Sequence, residues 1–265
     1  MKSNADFLRH YIGEAPLALA LERALECRLY ARLAFDRPIL DIGCGEGLFA
    51  EAAFGERIDT GIDLDPVELA RARERGAYLE LLQCDGARIP KPDGAFRTVF
   101  SNSVLEHIPD VRAVLAEAYR LLAPGGNFYF TVPSPDFERY TWINLALETC
   151  GLTTMSMSFR KFFNRFWRHH HAYDPAGWTA LGHAAGFDVV EAFTYDPRRI
   201  CLINTALTPF ALPSKFIKNA VNRWHLFPSL RRAIAGPIAA LAAPLLRGGE
   251  RASRGGLVFV ALRKP

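Results

Sequence analysis

The chain has 265 residues, half of them hydrophobic and 23% charged, with a formal net charge of +4. That balance excludes a disordered or fibrous chain and supplies enough apolar surface for one large domain with elaborations. Five cysteines (Cys27, Cys44, Cys84, Cys150, Cys201) form no C-x-x-C pair and have no histidine at ligand spacing, so they read as reduced thiols of a cytoplasmic protein. The opening "MKSNADFLRHYIGEAP" has no basic stretch leading into a long apolar one, and no secretory leader is expected.

In chain order, Leu17, Leu21, Leu25 and Leu29 recur every four residues and predict a helix over 14–34, within a helical lead-in spanning 1–36. "PILDIG" follows as a strand, then a helix at 46–54, the strand "RIDTGIDLD", a helix from Pro66 to Arg75 and the strand "YLELLQCD". After the turn "IPKPDG" come the strand "AFRTVFSN", a helix over 111–122, the breaker "APGG" and the strand "NFYFTVP". A helix and strand at 176–195 and a last strand in "GGLVFVALRKP" complete the series. Alternating strands and helices predict an α/β fold: a doubly wound, Rossmann-like, seven-stranded and mostly parallel sheet with helices on both faces. Two insertions, 134–175 and 196–255, are too long for ordinary connections and are expected to carry function.

The run "ILDIGCGEG" at 39–47 leaves a strand through three glycines, a turn that lets a ligand approach backbone N–H groups. A dinucleotide loop reads G-x-G-x-x-G, whereas Gly43, Gly45 and Gly47 are followed by Leu48. Asp41 and Glu46 would repel a pyrophosphate and suit a ligand bearing an ammonium or sulfonium group. Asp63, at the carboxyl end of the second strand, can accept from both hydroxyls of a ribose. It could instead cap the helix at Pro66, a task for which Asp65 is better placed.

Taken together, "LDIGCGEG", "GIDLD", "CDGARIP", "VLEHIPD" and "LLAPGG" resemble, in order and spacing, the class I S-adenosylmethionine-dependent methyltransferases over residues 37–133. The resemblance implies S-adenosyl-L-methionine as cofactor, with Asp41, Gly43, Cys44, Gly45, Gly47, Asp63, Leu64, Asp85, Gly86, Ser101 and Asn102 around it. Within that set it gives Asp85 the adenine amino group, and Ser101 and Asn102 backbone contacts to the methionine moiety. His107 of "LEHI" is the candidate general base, although the same residues recur in the family as a structural feature. One departure is Arg97 in "AFRTVF", where the family commonly has an acid, at the end of the strand away from the donor.

Methyl transfer from a sulfonium needs alignment and no metal, and none is expected; "HHH" at 169–171 cannot converge on one ion, since successive side chains diverge. Acceptor residues are expected in the first insertion, a lid over 134–175, with Trp142, His171 and Tyr173 as candidates. Its "SFRKFFNRFWRHHH" predicts a basic amphipathic helix with Phe159, Phe162, Phe163, Phe166 and Trp167 on one face. In the second insertion, residues 198–254 hold ten Lys or Arg against one acid, and "KFIKNAVNRWHLF" groups Phe216, Ala220, Val221, Trp224 and Phe227 beside Lys215, Lys218 and Arg223. The apolar run Ala233–Leu246, interrupted by Pro237 and Pro244, is too short for a bilayer that needs ~20 residues. These features predict a small-molecule or lipid-linked acceptor, an anionic membrane surface as partner and a peripheral position on the inner face of the membrane; nucleic acid is not expected. The competing classes are an NAD-dependent oxidoreductase, disfavoured by the glycine spacing, and a non-catalytic S-adenosylmethionine-binding module.

Overall fold

The computed structural model of the protein describes residues 4–221, Trp224 and 227–265. The expected face formed by Lys215, Phe216, Ala220, Val221 and Arg223 lies outside the described residues and side chains. The chain divides into two compact units.

The larger unit, residues 33–135, 162–194 and 257–265, carries the sheet. Its strands are β1 (Ile39–Ile42), β2 (Ile58–Asp63), β3 (Tyr78–Gln83), β4 (Phe96–Asn102), β5 (Leu122–Pro133), β6 (Asp188–Pro197) and β7 (Gly255–Arg263), in the order β3-β2-β1-β4-β5-β7-β6. The pairs from β3 to β5 are parallel and β7 runs antiparallel to β5, so the predicted seven-stranded, mostly parallel sheet is what forms. Strand order reverses at β1, whose neighbours are β2 and β4, and such a reversal opens a crevice at the carboxyl ends of the strands.

Local sequence explains the helices that flank it. α3 (Leu48–Ala53) starts from Gly47, and α4 (Pro66–Arg75) has Asp65 as N-cap accepting from the Val67 N–H, proline at its first position and Gly76 closing it. Asp110 caps α5 (Val111–Leu121) and Asp174 caps α8 (Pro175–Ala184) in the same way. Against one sheet face α5 lays Val114, Leu115, Ala118 and Leu121 and α8 lays Trp178 and Leu181, over Leu40, Val99, Phe128, Phe130, Val258 and Val260. The other face is aromatic, with Phe35, Phe54, Phe100 and Tyr129 in mutual edge or tilted contact. Full burial of each such side chain stabilises the fold by about 1.5–3 kcal/mol.

β5 departs from the expected boundary: it begins at Leu122 and includes "APGG", because a bulge opposite Phe96 and Thr98 absorbs the extra residues. The proline and glycines that read as a breaker are that irregularity.

The second unit, residues 1–32, 136–161 and 195–256, is helical. Its N-terminal part is two helices, α1 (Asn4–Glu14) and α2 (Leu17–Tyr30), where the periodicity predicted one beginning at residue 14; Pro16 separates them. α6 (Trp142–Thr149), α9 (Arg198–Val221) and α10 (Pro228–Ala242) complete it. α1 packs on α10 and α2 on α9. Glu26, fully buried, receives Arg23 Nη1 at 2.5 Å and the Tyr195 hydroxyl at 3.1 Å.

α7 (Thr153–Trp167) belongs to both units. Its aromatics do not form the single packed face expected of a lid: Phe159 and Phe163 are half-buried, while Phe162 and Phe166 face outward and pack on each other at 6.0 Å.

Candidate functional site

The glycine loop leaves β1 and is fastened to the end of β2. The N–H groups of Gly43 and Cys44 both donate to the Ile62 carbonyl, at 2.9 and 2.8 Å. Asp63 then holds the loop by its side chain: Oδ2 accepts from Gly45 N at 2.9 Å and Oδ1 from Asp65 N at 2.9 Å. The carboxylate therefore sits at the carboxyl end of β2 with its orientation fixed, and the alternative task of capping α4 falls to Asp65.

The three loop glycines serve different ends. A Cβ on Gly43 would lie 2.5 Å from both methyls of Val104, and one on Gly47 would press the Tyr78 ring at 3.1 Å, so these two make room for protein. Gly45, at φ +50°, has no protein atom within 4 Å of its would-be Cβ. That position faces open space beside Asp63, as a ligand-facing backbone should. Gly86 is taken up by packing, since a Cβ there would meet Ile42 at 3.2 Å.

Asp41 and Glu46 do not present free charge to a ligand, which corrects the electrostatic argument drawn from the loop. Asp41 is buried and accepts the Tyr78 hydroxyl at 2.7 Å, and burial pushes its pKa up to about 7 despite that hydrogen bond. Glu46 lies 3.5 Å from Arg75, which also binds Glu51 at 2.6 Å. Cys44 is buried, and its thiol pKa is raised well above the ordinary range by burial and by Asp41 and Asp63.

Leu64, 66% exposed, follows Asp63, and its carbonyl accepts from the Gln83 amide. Asp85 is exposed beyond β3 and accepts the Ala87 N–H at 2.9 Å, a turn-forming bond that leaves its other oxygen outward. At the end of β4 the Ser101 hydroxyl is fully buried and donates to the Ile42 carbonyl at 2.8 Å, tying β4 to β1, so only its backbone remains for a ligand. Asn102 accepts from the Thr131 hydroxyl at 2.8 Å. Arg97 is exposed at the opposite end of β4 from Ser101 and Asn102, as expected.

His107 stands on a 3-10 turn (Leu105–His107) just beyond β4, with its side chain 43% exposed. Its Nδ1 lies 3.3 Å from the Arg168 carbonyl, which selects the tautomer with an Nδ1 proton and leaves Nε2 as acceptor. Of the candidate acceptor residues, His171 has Nε2 3.0 Å from the carbonyls of both Ile108 and Pro109, so it ties two segments together. Tyr173 stacks on the His171 ring at 5.5 Å. Trp142 belongs to the helical unit, where its indole N–H donates to the Leu202 carbonyl at 2.8 Å.

The sequence reading missed Tyr78 and Val104, the side chains against which the loop is fitted. Alternation places Tyr78 inward at the start of β3, yet no spacing rule pairs it with a carboxylate 37 positions earlier.

Residues 40–130 match the family described as "Methyltransferase domain". Over that stretch the chain carries a methyltransferase domain, and its sheet has the fold of the class I S-adenosylmethionine-dependent methyltransferases. A ubiquinone biosynthesis O-methyltransferase of Vibrio atlanticus is 33% identical over 122 residues, covering 43% of this chain and 51% of that protein. A malonyl-[acyl-carrier protein] O-methyltransferase of Serratia marcescens is 37% identical over 124 residues, 45% of this chain and 48% of that one. The chain thus spans about half the length of these curated relatives. An S-adenosylmethionine-dependent methyltransferase structure from Thermotoga maritima superposes with a TM-score of 0.56 at 16% identity, covering 94% of this chain and 92% of that one. The sequence similarity is centred on the loop and strands just described, and the likeness of fold extends over the rest.

Proposed function

We propose that the chain transfers the methyl group of S-adenosylmethionine to a hydroxyl or amine of a small-molecule or lipid-linked acceptor. The observation that carries this reading is the pairing of Gly45 with Asp63: a glycine facing open space, beside a carboxylate with two of its roughly four lone-pair sites held by backbone. The remaining sites suit the two ribose hydroxyls of the donor, and an exposed Asp85 oxygen suits its adenine amino group. The relatives with named O-methylation substrates support a small-molecule acceptor.

In the transfer the acceptor heteroatom attacks the methyl carbon from the side opposite sulfur. The carbon–sulfur bond breaks as the new bond forms, and S-adenosylhomocysteine leaves neutral. Alignment supplies most of the acceleration, because the sulfonium methyl is already activated. His107 Nε2 accepts the acceptor's proton, a contribution typically of 10²–10⁴-fold.

A lipid-linked acceptor is supported by α10. Ala235, Ala239 and Ala242 are its buried side, whereas Leu230, Ile234, Pro237 and Leu241 form an exposed stripe at helical spacing. The segment Ser229–Leu246 is, by length and composition, long and apolar enough to cross a membrane, and 22% of it is buried. α10 itself has 15 residues, a length of about 22 Å against a hydrocarbon core of about 30 Å, so it suits lying in the interface better than crossing it.

Calorimetric titration of the purified chain with S-adenosylhomocysteine and with NAD tests the donor. Binding of the first and not the second is expected, and the reverse would replace this reading with that of an oxidoreductase. Incubation with labelled S-adenosylmethionine and fractionated cell extract then tests transfer; donor binding without a labelled product in any fraction would favour a non-catalytic binding module.

A further inference from the structure

The three consecutive histidines part company in the fold, and the first completes a cluster that no single stretch of sequence contains. The turn Leu105–His107 presents Glu106 and His107, and the chain leaving α7 brings His169 against them. One ligand atom from each of the three lies within 4.8 Å of the other two. Glu106 Oε1 is 3.7 Å from His107 Nε2, and the two imidazole centroids are 5.3 Å apart.

Backbone hydrogen bonds hold this arrangement. His170 N–H donates to the Glu106 carbonyl at 2.7 Å and His169 N–H to the Asn164 carbonyl at 2.9 Å. Arg168, left-handed at φ +56°, turns its carbonyl toward His107 Nδ1. A carbonyl that takes the Nδ1 proton orients the ring and makes Nε2 its acceptor atom, the outer-shell arrangement that metal-binding histidines use.

We propose that Glu106, His107 and His169 bind a divalent transition-metal ion of the zinc or cobalt class, leaving a position for water or an oxygen ligand. Two imidazoles and one carboxylate suit these ions, whereas calcium and magnesium favour all-oxygen sets. On a tetrahedral ion with bonds of about 2.0–2.1 Å the ligand atoms stand roughly 3.3 Å apart. The cluster must therefore contract by up to about 1.5 Å, which rotation of the half-exposed His107 can provide. Glu106 is 2% exposed, and its charge offsets that of an ion held there. An ion at this place takes the Nε2 lone pair that otherwise serves as base.

The site does not depend on methyl transfer, and its test reads binding directly. The full chain, stripped with a chelator, is titrated with Co²⁺ by visible absorption and with Zn²⁺ by calorimetry. One ion per chain is expected, with the d–d bands of a low-coordinate nitrogen and oxygen site. His169→Ala and Glu106→Gln should each weaken binding at least tenfold. His170→Ala, an exposed neighbour outside the cluster, should bind like the parent. Circular dichroism checks folding, and His107→Ala replaces the Glu106 variant if that one does not fold. Absence of stoichiometric binding, binding unchanged in His169→Ala, or equal loss in His170→Ala overturns the proposal, the last by marking an adventitious surface histidine.

Discussion

Replacing Asp63 with alanine tests the proposed donor site most directly, because this carboxylate joins loop and strand and, on the proposed reading, holds the ribose. The change removes the acceptor for the Gly45 and Asp65 N–H groups, both at 2.9 Å. Hydrogen bonds to a charged acceptor contribute about 1.5–3 kcal/mol each, but these donors can recover water once released, so the expected loss of stability is about 1–2 kcal/mol. For a chain of this size that corresponds to a Tm lower by roughly 2–8 °C. On the proposed reading the donor loses two ribose contacts of the same kind. Even one at the low end, about 1.5 kcal/mol, weakens binding tenfold. Asp63→Asn separates the two effects, since its amide oxygen can keep one backbone bond while the charge is gone. We expect S-adenosylhomocysteine affinity, measured calorimetrically, to fall at least tenfold in both variants, with a smaller drop in Tm for the asparagine. Parental affinity in a folded Asp63→Asn protein would refute the assignment of this carboxylate to the ribose.

Both Gly43 and Gly45 have positive φ, so alanine strains either by about 1–2 kcal/mol, but only Gly43→Ala also collides with Val104. Thermal unfolding should show Gly43→Ala to be the less stable, while titration should show Gly45→Ala to have lost donor binding although its stability falls only by the strain of about 1–2 kcal/mol. Ser101→Ala removes one buried hydrogen bond to Ile42 and should cost about 1 kcal/mol in denaturant unfolding with donor affinity unchanged. Asp41 predicts a pH dependence. Its folded pKa, about 7, is raised above the unfolded value, so its contribution to stability is fully present below pH 4 and is lost as pH rises to 7, by up to about 4 kcal/mol. Glu22 and Asp196, raised to about 7 and 8, act in the same direction, so the check is the difference between parent and Asp41→Asn: parallel unfolding profiles from pH 4 to 7 would contradict the shift. The chain should co-sediment with phosphatidylglycerol vesicles at low salt, release as salt rises and bind neutral vesicles poorly; recovery in the supernatant with both would remove the membrane from the reading.

Most of the sheet unit is legible in the sequence because its signals are local. β-Strand runs end in glycine turns, and α4 carries its cap, its proline and its closing glycine within a dozen residues. The glycine loop at 43–47 is legible for the same reason. What is not legible depends on contacts distant in sequence. Tyr78 meeting Asp41, the Ser101 hydroxyl turning to Ile42, and His169 joining Glu106 arise only when parallel strands and the chain after α7 come into register. Polar residues that looked like ligand contacts, Glu46 and His171 among them, are paired with Arg75 and with backbone carbonyls, and no rule of spacing distinguishes a partnered polar group from a waiting one. α1 falls within the helical lead-in expected over 1–36 but is not legible as a helix of its own, because its eleven residues mix polar and apolar positions without a long leucine repeat.

β6 and β7 are neighbours in the sheet, and the chain between them, residues 198–254, carries α9 and α10. In topological terms that excursion is a loop between adjacent strands, whatever its length. Lengthening such a loop raises closure entropy only logarithmically, by about 0.6 kcal/mol per doubling, so selection can rebuild it at little expense to the sheet. The sheet thus tolerates change in that excursion, provided that α1 and α2, which pack on α10 and α9, change to match. On the proposed reading, recombination that swaps residues 198–254 between members of this fold would alter acceptor choice or cellular address and leave donor binding at the Gly43–Gly47 loop and Asp63 unchanged.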